Sequence, residues 1–427
     1  MIKVRTLVVL AIFASLLSFA KFSHCENTGW ATPDQYIHAC YSDLPSLFEV
    51  RGLSTNQWPY ASADNSVEYP VLTGVVMYAT SFATNSPATY FNINIFFLVL
   101  LFIATVLIVR RIRPEFAYLL PVAPAMIASL FINWDLWAIA TMMLAIYWFD
   151  RKQYLNSALV LGVSISTKFL PIFLLIPIVF ILWRDGKIKE AIKFIAITLG
   201  TWLIINAPFA LTTPTGWWRF YKLNLERGPD WGSIWLALQQ LGINLTNLNY
   251  LSILLLLIAL TTIAVLLFEL KYTPTLASVS FFVLASVMLA SKVYSPQYVL
   301  WLTPLAVIAL TNTKDLHAFW VWQATEVMYH VAIWQHIAQV TDAKFGLGPT
   351  PYAILTLLAS ITDAITKNET DARVGVYCNS KSRTAIAVNA MSNKRIESQL
   401  RLVRLTPSCC SANQIDPQSG PRSKLSL

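Results

Sequence analysis

Long apolar runs broken by short charged segments dominate this chain, without the strict alternation that half-buried strands require. About 20 apolar residues cross a bilayer as a helix, and fewer suffice when flanking side chains snorkel. By that measure the pattern predicts about twelve spans (range about 10 to 13). They are Val4–Ala20, Tyr90–Val109, Phe116–Ile132, Leu136–Phe149, Tyr154–Thr167, Phe169–Trp183, Ala191–Ala210, Tyr250–Phe268, Pro274–Ser291, Tyr298–Leu310, Ala318–Ile337 and Tyr352–Ile365. Val71–Thr84 reads as a re-entrant or interfacial helix leading into the second span. The expected fold class is an all-α polytopic membrane protein with a long first extracytoplasmic loop.

Basic residues in the breaks orient these spans. With the N-terminus in the cytoplasm, the inner breaks hold Lys3, Arg5, Arg110, Arg111, Arg113, Arg151, Lys152, Arg184, Lys187, Lys189, Lys193, Lys271 and Lys314. The outer breaks hold fewer basic residues (Lys21, Arg51, Lys168, Arg219, Lys222, Arg227, Lys292 and Lys344), spread over much longer segments. The positive-inside rule favours that orientation, which places both termini in the cytoplasm and the loop 21–88 outside. Met1–Ala20 also has the layout of a cleavable signal peptide; a retained first span is the preferred reading, and either leaves the next segment outside.

Composition narrows the class further. Of the 427 residues, 56% are hydrophobic and 12% charged, about half the roughly 25% charge of soluble domains. The 15 Trp and 17 Tyr suit lipid–water boundaries. A net charge of +9 raises nucleic acid as a partner, but the basic residues sit between apolar runs, where they set topology, so no nucleic-acid partner is expected. Five Cys are too few for a disulfide scaffold. Cys25 and Cys40 would lie in an oxidising compartment, and their separation permits a pair without requiring one. The chain divides into a multi-span unit at 1–365 and a cytoplasmic, disordered basic tail at 366–427, with acids only at Glu369, Asp371, Glu397 and Asp416.

Polar chemistry collects on the outer side. The first outer segment carries "CYSDLPSLFEVRGL", "PY" and "EYPVLTG"; "NWDLWAIA" and "GVSISTKFLP" follow, then "WWRFYKLNLERGPDWGSIW" and "SKVYSPQYVLWLTP". Aromatic faces stack on sugars, cations hold phosphate, and a carboxylate accepts a hydroxyl proton. Each residue also has a plainer reading. Asp43 would cap a short helix and Asp135 a span; Lys168 and Lys292 would anchor at the interface; Glu326 and His330, at i and i+4 in one span, would bond each other within the membrane. No short metal motif, Walker motif or dinucleotide fingerprint is present, so no metal and no cofactor are expected.

Taken in that order over roughly residues 30 to 338, these segments resemble the polytopic GT-C glycosyltransferases. They are most similar to glycosyltransferase family 87, the polyprenyl-phosphate-mannose-dependent mannosyltransferase-like proteins. The resemblance implies a GT-C-like bundle in the plasma membrane with its catalytic face outside. It implies inverting, metal-independent transfer of a hexose, mannose by analogy, from a polyprenyl-phosphate sugar to a cell-envelope glycolipid or polysaccharide. The loop carboxylate Asp43 is then the general base, with Glu68 as substitute. Arg51, Lys168, Arg227 and Lys292 would bind the donor phosphate, and Trp134, Asp135, Asp230, Trp231, Tyr294 and Gln297 the sugar or acceptor. The rival class is a transporter or flippase of a lipid-linked saccharide, which needs paired charges at midplane and broken, pseudo-symmetric helices. Outer loops richer in charge than the midplane favour the enzyme.

Overall fold

Residues 2–360 are described by a computed structural model, apart from residues 63, 64 and 272. The predicted tail and the end of the last predicted span, residues 361–365, lie outside them. Among the described residues the regular elements are helices, with no strand. In chain order they are α1 (Val4–Asn27), α2 (Asp34–Ile37), α3 (Asp43–Val50), α4 (Val71–Ser81), α5 (Pro87–Ile112), α6 (Leu119–Val122), α7 (Pro124–Ser129), α8 (Asp135–Asp150) and α9 (Tyr154–Thr167). They continue with α10 (Leu175–Arg184), α11 (Ile188–Thr212), α12 (Pro214–Glu226), α13 (Ile234–Gln240), α14 (Leu248–Glu269), α15 (Leu276–Ala290), α16 (Val299–Ala309) and α17 (Asp315–Val340). A further helix covers residues 349–360.

Four of these helices, α1, α5, α11 and α14, are long and apolar enough to cross a membrane, and shorter apolar helices include α4, α9 and α15. Several helices are thus able to span a bilayer. None of the α14 residues is buried; an apolar surface on every side is suited to lipid rather than water. Small side chains bring neighbouring helices close, as is common between membrane helices. Ser157 Oγ and Ser164 Oγ of α9 donate to the carbonyls of Ala145 and Ala138 on α8 at 2.7 and 2.8 Å. On the other side of α9, a Cβ at Gly162 would lie 2.6 Å from Thr201 Cβ and 2.7 Å from the Thr198 carbonyl of α11, so that contact requires glycine.

Two predicted runs are corrected. The first span does not stop near Ala20: α1 continues unbroken to Asn27, because Lys21, Ser23, His24 and Glu26 are compatible with helix once their polar atoms find partners. The third span, Phe116–Ile132, is not one helix but the short pair α6 and α7. Pro124 forces the break: it lacks an N–H and pushes the preceding residue out of the helical region, and Ala123 sits at φ −68°, ψ 114°. Non-helical backbone at such a place needs partners within the protein. Lys21 Nζ of α1 donates to the Ala128 carbonyl at 2.6 Å, Gln323 Oε1 of α17 accepts from Ala125 N–H at 3.3 Å, and Ser42 Oγ donates to the Phe131 carbonyl at 2.8 Å. The backbone N–H of Asp43 closes the set by donating to the Ile132 carbonyl at 2.7 Å.

Candidate functional site

That last bond fixes α3 at its first residue. Ser42 is the N-cap, its hydroxyl accepting from Leu44 N–H at 3.2 Å, so the capping role open to Asp43 is filled by its neighbour. The Asp43 carboxylate turns instead to two phenols: Tyr41 donates to Oδ1 at 2.8 Å and Tyr69 to Oδ2 at 2.7 Å. Asp43 keeps a partly exposed face, but its surroundings are dense. Burial pushes its carboxyl above the ordinary value, while the two phenols and the charge of Lys168 act the other way. Burial first, and then the charge of Asp43, push Tyr41 and Tyr69 well above the usual tyrosine range, so both stay neutral donors.

The same pattern repeats at α8. Asn133 Oδ1 accepts from Asp135 N–H at 2.9 Å, which leaves the Asp135 carboxylate for Lys168 at 2.8 Å and for the Trp301 indole N–H at 3.0 Å. The Lys168–Asp135 pair is largely sequestered, with side chains 13% and 3% exposed. Lys168 also stands 3.7 Å from the Tyr69 ring centre, so Asp43, Tyr69, Lys168 and Asp135 form one connected group. Trp134 packs edge-on to Tyr69 at 5.9 Å and donates to Asn94 Oδ1 at 2.8 Å.

Glu68, next to Tyr69, is not a free base. Both of its oxygens bond Arg51, and Arg219 donates to it at 3.1 Å, so two guanidinium groups already occupy the carboxylate. Its candidacy and the independence of Arg51 as a phosphate ligand are weakened by one and the same contact.

A second polar group joins the segments around Asp230 and Lys292. Asp230 N–H donates to the Lys292 carbonyl at 2.8 Å, and Tyr294 N–H to the Trp231 carbonyl at 3.1 Å. Arg227 pairs with Asp230, whereas Lys292 Nζ bonds the neutral Asn249 Oδ1 at 2.6 Å and the Leu225 carbonyl at 3.2 Å. Among the described residues Lys292 has no carboxylate partner, unlike Arg51, Lys168 and Arg227. Burial, and then the nearby charge of Arg227, lower its pKa. Gly232 follows Trp231 at φ +74°, and a Cβ there would overlap Tyr329 and the Tyr294 carbonyl. Tyr298 senses the charges of Asp135, Arg227 and Asp230 together, so the two groups lie within electrostatic reach of one residue. Gln297 is buried beside it. No family model matches the chain, and no curated protein matches it.

Glu326 and His330 share α17, and each bonds both within that helix and to another element. Tyr294 donates to Glu326 at 2.9 Å and Trp322 at 3.3 Å. His330 Nε2 meets Lys21 Nζ at 3.0 Å and the Trp334 indole N–H at 3.2 Å, and its Nδ1 lies 3.4 Å from Ser129 Oγ. Sequence reasoning missed Tyr41, Tyr69, Arg219 and Trp301. All four lay within the quoted segments, but nothing local marked Arg219 or Trp301 as partners of Glu68 and Asp135.

Two further features lie at the end of α1 and in the segment that follows it. Cys25 and Cys40 form a disulfide. The expectation of no metal rested on short motifs, and the fold assembles a set they do not register: ligand atoms of His24, Asp34 and His38 lie within 4.8 Å of one another.

Proposed function

We propose that this chain is a GT-C-like hexosyltransferase of about twelve spans, with its chemistry on the extracytoplasmic side. The observation that carries the reading is Asp43. Among the described residues it has no ion-pair partner, its two oxygens are positioned by neutral phenols, and it keeps an open face in the outer loop. A carboxylate with four lone-pair sites retains acceptor capacity after two hydrogen bonds. In the proposed step Asp43 removes the proton from an acceptor hydroxyl. The hydroxyl oxygen forms a bond to the anomeric carbon as the bond from that carbon to the phosphate oxygen breaks. The electron pair leaves with polyprenyl phosphate, and the configuration inverts. No cofactor is assigned to the step.

Lys292, with Arg227 beside it, is the proposed counter-charge for the departing phosphate, since positive groups already in place stabilise charge that develops in the transition state. Lys168 and Arg51 drop behind it because their charges are already neutralised. Lys292→Met is expected to lower kcat/KM for the lipid-linked donor by about 10- to 100-fold, the scale of one charge-assisted hydrogen bond. An unchanged kcat/KM removes Lys292 from the phosphate site.

The disulfide supports placing the 21–88 loop in an oxidising compartment, which agrees with the orientation drawn from the basic residues. Donor sugar and acceptor remain classes: a polyprenyl-phosphate hexose, by resemblance mannose, and an envelope glycolipid or polysaccharide. Glycan and lipid profiling of a strain lacking the protein tests this. The expected result is an envelope glycan or glycolipid short of one hexose, together with excess lipid-linked donor; an unaltered profile contradicts the reading.

A further inference from the structure

We propose that His24, Asp34 and His38 form a binding site for one divalent transition-metal ion of the Zn2+ class on the first outer loop. This inference does not depend on the transferase reading. His24 Nε2 lies 2.9 Å from Asp34 Oδ2, and His38 Nδ1 lies 3.0 Å from Asp34 Oδ1. One carboxylate thus bonds a nitrogen of each of two imidazoles whose ring centres are 3.8 Å apart. Ligand atoms of a tetrahedral Zn2+ site are separated by about 3.3 Å, given metal–ligand bonds near 2.0 to 2.1 Å. With all the ligand atoms within 4.8 Å of one another, side-chain rotation alone brings two nitrogens and one carboxylate oxygen to that spacing around an ion.

Three further observations support a site rather than a chance meeting of surface charges. The ligands are positioned by the fold: His24 is in the last turn of α1, Asp34 opens α2, and His38 is the residue that ends it. The Cys25–Cys40 disulfide, with Cα atoms 5.9 Å apart, lies one residue from His24 and two from His38, so the two histidines are tied together before any ion arrives. Asp34 also has an outer partner, accepting from Thr28 Oγ1 at 2.9 Å, the kind of second contact that orients a metal-bound carboxylate.

Two imidazoles and one carboxylate select borderline ions such as Zn2+ or Co2+ over Ca2+ or Mg2+, which prefer all-oxygen sets. His38 is exposed, so water has access to a fourth position. A bound ion would link the outer end of α1 to α2, whose Tyr36 stacks on Tyr41 with ring centres 5.7 Å apart.

The test is a Co2+ titration of the full-length protein, purified in detergent, oxidised and stripped with chelator. The expected result is visible d–d absorption that saturates at one equivalent and is lost on adding one equivalent of Zn2+. Mg2+ at the same concentration should leave it unchanged. His24→Gln and His38→Gln should each weaken Co2+ binding by more than about 100-fold, because losing even an outer-shell partner costs 10- to 100-fold. His317→Gln, an exposed histidine on α17, should bind as wild type. Absence of saturable binding in the wild-type protein overturns the proposal and leaves a hydrogen-bonded surface cluster. Full binding by both His24→Gln and His38→Gln also overturns it. The wild-type result stands even if a variant misfolds.

Discussion

Asp43→Asn is expected to lower sugar transfer by about 10²- to 10⁴-fold, the usual contribution of a positioned general base, with the fold intact. Asn keeps the shape of Asp. Its amide oxygen accepts from Tyr41 as Oδ1 does now, and its amide nitrogen donates to the Tyr69 hydroxyl where Oδ2 now accepts. The backbone bond to Ile132 does not involve the side chain.

Wild-type activity should fall as pH drops through the Asp43 pKa, and because burial lifts that value, the acidic limb should lie above 3.8. Stability carries the matching signature. Between 3.8 and the raised value, the folded state holds a proton that the unfolded state has released. Asp43 therefore contributes a loss of stability as pH rises through that window, and Asp43→Asn lacks that contribution. Transfer at the wild-type rate in Asp43→Asn removes Asp43 from the mechanism.

Lys168→Met is expected to destabilise the protein by about 3 to 5 kcal/mol, the typical result of stranding one member of a buried ion pair. Asp135 would keep the Trp301 indole but lose the ammonium group that neutralises it. Adding Asp135→Asn removes the stranded charge, so the double variant should recover most of the loss. Thermal unfolding in one detergent, read for wild type, single and double variants, checks this. Equal stability of wild type and Lys168→Met shows that the pair carries no structural weight.

The helical architecture was legible because apolar runs long enough to span a bilayer have few alternative structures. α5, α9, α11 and α14 lie close to where the apolar pattern puts them. The break in the third span was less visible. Pro121 and Pro124 were in plain view, but proline is tolerated in membrane helices when neighbours re-satisfy the backbone, so the outcome turned on Ser42, Asp43, Lys21 and Gln323, all distant in sequence.

Charge pairing was the least legible feature. Lys168 and Asp135 are 33 positions apart and Arg51 and Glu68 are 17 apart; no local pattern says whether such cations are free or already neutralised. Capping was obscured by adjacency. Ser42 precedes Asp43 and Asn133 lies two before Asp135, and either member of each set satisfies the usual preference at a helix start. The metal-ligand set was hidden for a related reason. Asp34 and His38 are four apart on one helix face, but His24 joins them only through the turn that the disulfide closes.

Purified protein in liposomes, supplied with a radiolabelled polyprenyl-phosphate hexose and an envelope glycolipid acceptor, provides the most direct test. Appearance of label in the acceptor, with one polyprenyl phosphate released for each hexose moved, is the predicted result. Passage of the intact labelled donor from one leaflet to the other, with no hexose–phosphate bond broken, contradicts it and leaves a carrier in place of the enzyme.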